Sequence, residues 1–400
     1  MTARSVQFGA SAIFVSLILA PPAPDQLAPI GAFLQESAPR DVPAICALVV
    51  DRDKVLFEAA AGWRDQAAGA PLRPDSIFRI ASMTKPVTSL AVMMLHEQGR
   101  IGFDDPVTKY LPEFDRLRVM TEFHEDGRYE SRPPKRAVLV RHLLTHTSGI
   151  GYAFADPRLA KLPDPGRKNL ADMPLLHDPG EKFTYGPNTY VLGQIVERVS
   201  GRTLDVFLRE NIFAPLGMRD TAYTVPPEHR DRVVTVHARQ NGAWVERPNP
   251  ETIRADVAGD GGLFSTARDY GAFLQLFLNR GRHGGTRLVS EESIRLMTTN
   301  QMGDVTLDEQ PSADRTLAMP FPIGAGKDKF GFGFQVEMPP ARDGMRRAGS
   351  VSWGGIFNTH FWIDPDAGRG AVLLMQVLPY YDEAAVKVLR GFELRVYKAE

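Results

Sequence analysis

Strand-forming runs lie near both ends of this chain, with helix-forming sequence between them, and that order limits the folds available. Residues 44–51 and 55–60 are apolar, strand-like runs separated by Arg52-Asp53-Lys54, as in a hairpin. Pro43 precedes the first run, where a missing N–H does not interrupt a ladder. Residues 76–80 form a further short run, and 330–337, 358–363 and 371–377 repeat the aromatic and β-branched signal near the C-terminus. Between them, helices are predicted over 82–98, ended by Gly99, over 142–147, over 189–200, closed by Gly201, and over 203–213, stopped by Pro215. Others follow at 266–279, 291–297 and 382–396. Isolated hairpins at either end are too small to bury a face alone, so the order predicts one sheet assembled from both ends. The expected fold class is α/β (α+β): an antiparallel sheet flanked by helices, with an inserted, mostly helical subdomain. The sheet is expected from 25–80 and 325–400, the helix-rich part from roughly 100–300, and 25–400 is expected to form a single domain.

Composition narrows the class. The 400 residues are 43% hydrophobic and 24% charged, which excludes a disordered or collagen-like chain. The net charge of −1 gives no whole-chain field for nucleic acid or anionic lipid. Arg132, Lys135, Arg136 and Arg141 form one basic cluster, which Pro133 and Pro134 mark as a surface loop. The single cysteine, Cys46, sits in an apolar run and reads as a small buried residue without a disulfide partner. At the N-terminus, Arg4 precedes a mostly apolar stretch over 8–20, followed by Pro21-Pro22-Ala23-Pro24. Residues 1–24 are therefore expected to be an export signal, placing the mature protein in the periplasm or outside the cell. The alternative is an apolar N-terminal extension on a cytoplasmic protein. No other stretch approaches the length of a membrane span.

The chemistry concentrates at Ser82-Met83-Thr84-Lys85. Residues three apart on a helix share a face, so Lys85 can reach the Ser82 hydroxyl. A serine hydroxyl is a weak nucleophile until a base takes its proton, and a desolvated lysine is such a base. Ser82 also opens the predicted helix, where free N–H groups and the positive dipole end favour developing negative charge. Its own N–H is thus placed to form half of an oxyanion hole. Pro86 is tolerated because it falls in the first turn. Ser-x-x-Lys alone is a weak signal, but here it follows Phe78-Arg79-Ile80-Ala81 and leads into an apolar helix, which a surface pair would not do.

The phrase Ile80-Ala81-Ser82-Met83-Thr84-Lys85-Pro86 resembles the first motif of the serine β-lactamase and penicillin-binding-protein-like hydrolases. Within that family the chain is most similar to esterases related to class C β-lactamases, and the resemblance implies the β-lactamase/transpeptidase-like fold. Further resemblances, in order, are His142-Leu143-Leu144-Thr145-His146-Thr147-Ser148-Gly149, Pro179-Gly180-Glu181-Lys182-Phe183-Thr184-Tyr185-Gly186, Gly261-Gly262-Leu263-Phe264-Ser265-Thr266, and Trp353-Gly354-Gly355 followed by Phe361-Trp362-Ile363-Asp364-Pro365. The resemblance implies that Tyr185 is the second catalytic residue, sharing the base role with Lys85 and later protonating the leaving group. It implies that the N–H of Ile356 completes the oxyanion hole, and that Trp353, Gly354 and Gly355 line the substrate pocket. Two departures stand out. Pro187 occupies the position where β-lactamases often carry an asparagine, with Asn188 one further on. Trp353-Gly354-Gly355 stands where they usually carry Lys-Thr-Gly, leaving no cation there for a substrate carboxylate.

The resemblance implies a serine carboxylesterase that hydrolyses short-chain acyl esters through a Ser82 acyl-enzyme, with a small-molecule ester as partner and no metal or organic cofactor required. The rivals are a β-lactamase or D-amino-acid peptidase or carboxypeptidase, an acyltransferase of the same family, and a catalytically dead binding protein. Tyr152, Phe154 and Trp362 are read either as walls of an acyl pocket or as core aromatics. His142 and His146 have metal-ligand spacing but read as core or capping residues, and Gly331-Phe332-Gly333 lacks the third glycine of a dinucleotide site.

Overall fold

The computed structural model describes residues 27–163, 166–342 and 344–398. The expected export signal at 1–24 lies outside the described residues. The main sheet has eight strands. From the N-terminal side come β1 (Ala44–Val50), β2 (Val55–Asp65) and β3 (Ala70–Pro71). From the C-terminal side come β4 (Lys329–Phe330), β5 (Gln335–Val336), β6 (Val351–Gly355), β7 (Thr359–Asp364) and β8 (Arg369–Leu374). Their order is β4-β5-β6-β7-β8-β1-β2-β3, antiparallel throughout. The two chain ends meet where β1 pairs β8, with Leu48 opposite Val372.

Strands β1, β6, β7 and β8 are buried along their whole length, so the sheet is covered on both faces. Alternate residues face opposite sides of a strand. Ile45, Ala47 and Val49 pack with Trp362 and Leu373 against α1 (Ala28–Ser37) and the C-terminal helix Glu383–Tyr397. Cys46, Leu48 and Val50 point the other way, into the larger core with Phe361, Val372 and the helices Thr84–Glu97 and Ala267–Leu278. Among the described residues no helix is long and apolar enough to cross a membrane.

Several elements depart from expectation. Helix α1 was not predicted: it is only ten residues long, and Pro29 and Gly31, both of which break helical patterns, stand in its first turn. The expected strand 330–337 is two strands, because the chain turns between them: Gly333 adopts φ 110°, and a Cβ on Gly331 would lie 2.1 Å from the Met297 carbonyl oxygen. The expected strand 371–377 also divides. After β8, the Gln376 side chain donates to the Arg79 carbonyl at 3.0 Å and accepts from the Arg79 N–H at 3.1 Å. The chain then joins a second sheet, where Val377–Leu378 lies parallel to Val236–Gln240, itself paired with Ala243–Arg247. The stretch at 203–213 continues past its expected stop. Pro215 begins a helical turn, Ala214–Leu216, and Gly217 in the left-handed region ends it. The basic cluster is on the surface and largely neutralised: Arg132 pairs with Asp178, Lys135 with Asp178 and Glu181, and Arg141 with Asp104.

Candidate active site

The expected nucleophile sits in a strained turn. A two-residue strand, Phe78–Arg79, pairs with Phe264–Ser265, and the chain then enters the 3-10 turn Ala81–Met83 that feeds α2 (Thr84–Glu97). Ser82 therefore lies in the turn before the helix rather than at the helix start. Ala81 adopts φ 45°, a conformation that costs a residue with a Cβ about 1 kcal/mol or more. Its neighbours hold it there. Ile80 N–H donates to Leu263 O at 3.0 Å, Met83 N–H to Ile80 O at 3.0 Å, and the Tyr270 hydroxyl to Met83 O at 2.9 Å. The turn presents Ser82 half-buried at the edge of a cavity.

Lys85, in the first turn of α2, is 1% exposed, and its amine makes hydrogen-bond contacts in three directions. Its Nζ lies 3.1 Å from Ser82 Oγ, 3.2 Å from the Tyr152 hydroxyl and 2.7 Å from the Asp260 carbonyl oxygen. The Tyr152 hydroxyl in turn donates to Asp260 Oδ2 at 2.5 Å. Tyr152 was expected at most as a pocket wall. It is that, but its hydroxyl also belongs to the lysine's hydrogen-bond set. No spacing rule links 152 to 85, so sequence reasoning had no means of pairing them, and it missed Asp260 for the same reason.

Tyr185 is carried by a loop seated on the motif at 142–149. Thr184 N–H donates to His146 O at 2.8 Å and Gly180 N–H to Thr147 O at 2.7 Å. The Asn188 amide lies 2.9 Å from His146 Nδ1 and accepts from the Ser148 hydroxyl. Asn188, which stands one place beyond the β-lactamase asparagine position, is thus buried in this support and does not line the cavity. Gly186 packs so tightly on Ile150 that a Cβ would lie 2.0 Å from its carbonyl oxygen. Burial keeps both histidines of the motif neutral: His142 falls to about 4, and His146 falls well below its ordinary value. The His142 ring nitrogen Nδ1 accepts the Leu139 N–H at 3.1 Å, a capping contact rather than a metal ligand.

So held, the Tyr185 ring lies with its centroid 4.8 Å from Lys85 Nζ, and its hydroxyl accepts from Trp353 Nε1 at 3.4 Å. Among the described residues this hydroxyl makes no hydrogen bond to Ser82 or Lys85; the phenol bonded to the lysine is that of Tyr152.

The cavity has a volume of about 300 Å³. Ser82, Tyr152, Tyr185, Trp353, Gly354 and Ile356 all line it, and Phe154, Leu263 and Phe321 add apolar wall. Gly355, expected in the pocket, is not among the lining residues. A Cβ there would lie 2.3 Å from the Ile80 carbonyl oxygen and 2.4 Å from Thr359 Oγ1, so its role is to let β6 approach the Ser82 turn. Trp362 is also outside the cavity. It is fully buried on the opposite face of the sheet and donates to the Tyr397 hydroxyl at 3.0 Å. Nor does the cavity lack cations. Arg79 and Arg254 line it, and the Arg79 guanidinium donates to the Val234 carbonyl oxygen at 3.3 Å and lies over the Phe264 ring.

The sequence profile of the beta-lactamase family matches residues 32–393. The chain belongs to this family. It is an enzyme of the family's serine hydrolase kind, and the β-lactamase/transpeptidase-like fold expected from the sequence is the one observed. Esterase EstB of Burkholderia gladioli is 30% identical over 370 residues, covering 86% of this chain and 88% of the relative. The monacolin J acid methylbutanoyltransferase of Aspergillus terreus is 28% identical over 347 residues, covering 82% of this chain and 83% of its own. The structure of unliganded simvastatin synthase from Aspergillus terreus superposes with a TM-score of 0.80 at 26% identity, covering 93% of this chain and 98% of that one. The family relatives thus include an esterase and an acyltransferase.

Proposed function

We propose that the protein is a carboxylesterase for short-chain acyl esters, acting through an acyl-enzyme on Ser82. The observation that carries this is the contact of a buried lysine amine with the half-buried Ser82 hydroxyl at the wall of a largely apolar cavity. In this reading Ser82 Oγ attacks the ester carbonyl carbon while its proton passes to the Lys85 amine acting as base. The oxyanion is received by the N–H groups of Ser82 and Ile356. The C–O bond to the alcohol then breaks, and the alcohol leaves with a proton supplied through Lys85 and Tyr185. Water attacks the acyl-enzyme in the second half, with the same groups in reversed roles. The likeness to Esterase EstB supports the ester substrate.

Trp353 bears on substrate choice. It stands where lactam-hydrolysing members usually carry a lysine, and its indole N–H is directed at the Tyr185 hydroxyl rather than at a substrate anion. A charge-assisted contact at that strand position is worth about 1.5–3 kcal/mol, or roughly ten- to a hundredfold, for a carboxylate that Arg79 and Arg254 at the cavity wall do not hold in its place. Nitrophenyl acetate and butyrate are therefore expected to exceed nitrocefin in kcat/KM by at least about tenfold. Nitrocefin turnover above that of every neutral ester would return the protein to the lactamase side of its family.

A second reading is acyl transfer, which the likeness to the methylbutanoyltransferase favours. Alcohol added to the ester assay separates the two: acyl transfer yields the new ester in place of free acid. For the N-terminus, we propose that residues up to the Pro21–Pro24 region are removed on export. Protein from its native source is then expected to begin near those prolines, and an intact Met1 or Thr2 on cytosolic protein would contradict it.

A further inference from the structure

We propose that Asp260 is a positioning residue for the acylation step: its carboxylate orients the Tyr152 hydroxyl, and Tyr152 in turn orients the Lys85 amine toward Ser82. This rests on the reading of Ser82 as nucleophile and Lys85 as its base.

The argument is one of hydrogen-bond direction. A lysine nitrogen is tetrahedral, with one corner taken by its own carbon chain. Of the other three, one meets the Asp260 carbonyl oxygen at 2.7 Å, one the Tyr152 hydroxyl oxygen at 3.2 Å, and one Ser82 Oγ at 3.1 Å. In the neutral amine two corners carry N–H and one carries the lone pair. The carbonyl oxygen can only accept, so it holds an N–H. A phenol can accept or donate, so it decides where the lone pair goes. If the Tyr152 O–H turned toward Lys85, it would bond to the lone pair and leave an N–H facing Ser82, which cannot take the serine proton. A carboxylate, which only accepts, holds that O–H instead: the hydroxyl donates to Asp260 Oδ2 at 2.5 Å. The phenolic oxygen then accepts the second N–H, and the remaining corner, the lone pair, faces Ser82. As the Ser82 Oγ–carbon bond forms, the Oγ–H proton moves to that lone pair, and the resulting ammonium passes it on, by way of Tyr185, to the departing alcohol oxygen. Asp260 gains and loses nothing. It is 3% exposed and lines the same cavity, so water competes little for this arrangement.

The test compares wild type, Asp260→Asn, Asp260→Ala, Tyr152→Phe and the two Asp260 variants combined with Tyr152→Phe, measuring kcat and KM on nitrophenyl butyrate and thermal unfolding of each. Asp260→Ala is expected to lose roughly ten- to a hundredfold in kcat with KM within about threefold. Asp260→Asn, whose Oδ1 still accepts, is expected to lose less. Because Asp260 acts through Tyr152, each combined variant is expected to be no slower than Tyr152→Phe alone. A purely structural role would instead lower the unfolding temperature and add its loss to that of Tyr152→Phe. Where the alanine variant does not fold, the asparagine variant and its combination with Tyr152→Phe carry the same comparison. Unchanged kcat in the Asp260 variants, or losses that multiply with that of Tyr152→Phe, would overturn the proposal. A wild type that neither turns over esters nor takes a fluorophosphonate on Ser82 would overturn the underlying reading and this proposal with it. An active wild type with unaffected Asp260 variants overturns this proposal alone.

Discussion

Ser82 and its immediate neighbours show how much of a site one short phrase can specify. Ser-x-x-Lys places an amine on a hydroxyl by helical geometry alone, and the two are 3.1 Å apart. What the phrase does not show is the strain beside it. Ala81 at φ 45° has no sequence mark, because the cost is met by bonds from residues far along the chain, Leu263 and Tyr270. Two predictions belong at this scale. Ala81→Gly removes the Cβ from that conformation and is expected to raise stability by roughly 1 kcal/mol or less, the strain relieved minus the backbone entropy that glycine adds to the unfolded chain, with activity retained, whereas Ala81→Val is expected to lower both. Denaturant unfolding beside ester turnover checks the pair. Tyr185→Phe is expected to lower kcat on nitrophenyl butyrate by about a hundredfold or more, since it removes a proton-transferring hydroxyl and leaves the ring packing in place. A kcat within about threefold of wild type would pass that role to Tyr152, the phenol bonded to Lys85.

At the scale of elements, supports outnumber chemical groups. The motif at 142–149 carries no reacting atom; it seats the loop of Tyr185, and its histidines are kept neutral by burial. His142 gives this a pH signature. Its folded value of about 4 lies below the ordinary 6.5, so the unfolded chain binds the extra proton first as pH falls. The stability this group contributes is therefore complete above about pH 6.5 and lost as pH drops toward 4, by up to roughly 3 kcal/mol. Protonation would also set an N–H against the Leu139 N–H that Nδ1 now accepts. His142→Asn keeps an acceptor without titrating, and is expected to flatten the stability curve between pH 4 and 6.5; an unchanged slope would contradict this. Gly355 offers a second test. Gly355→Ala places a Cβ against the Ile80 backbone, two residues from Ser82, and is expected to cost activity at least tenfold by displacing the turn, read as kcat on nitrophenyl butyrate.

For the whole molecule, the order of strand and helix signals was enough to anticipate a sheet drawing on both chain ends, and β1 does pair β8. The elements missed have two causes. The strands Val236–Gln240 and Ala243–Arg247 pair with each other across Asn241-Gly242, a local hairpin that its Asn-Gly turn makes legible, whereas helix α1 and the parallel pairing with Val377–Leu378 depend on partners distant in sequence. The same holds for the site. Ser82, Lys85, Tyr185 and Trp353 sit in legible motifs, whereas Tyr152, Asp260 and Arg79 reach the cavity only through tertiary packing. The central claim, that this assembly makes Ser82 the nucleophile, has one direct test. Intact-mass and peptide analysis after exposure to a fluorophosphonate or a slow ester is expected to show a single adduct, on the peptide containing Ser82, absent in Ser82→Ala. An adduct on Ser148 or Ser352, or none on active enzyme, would contradict it.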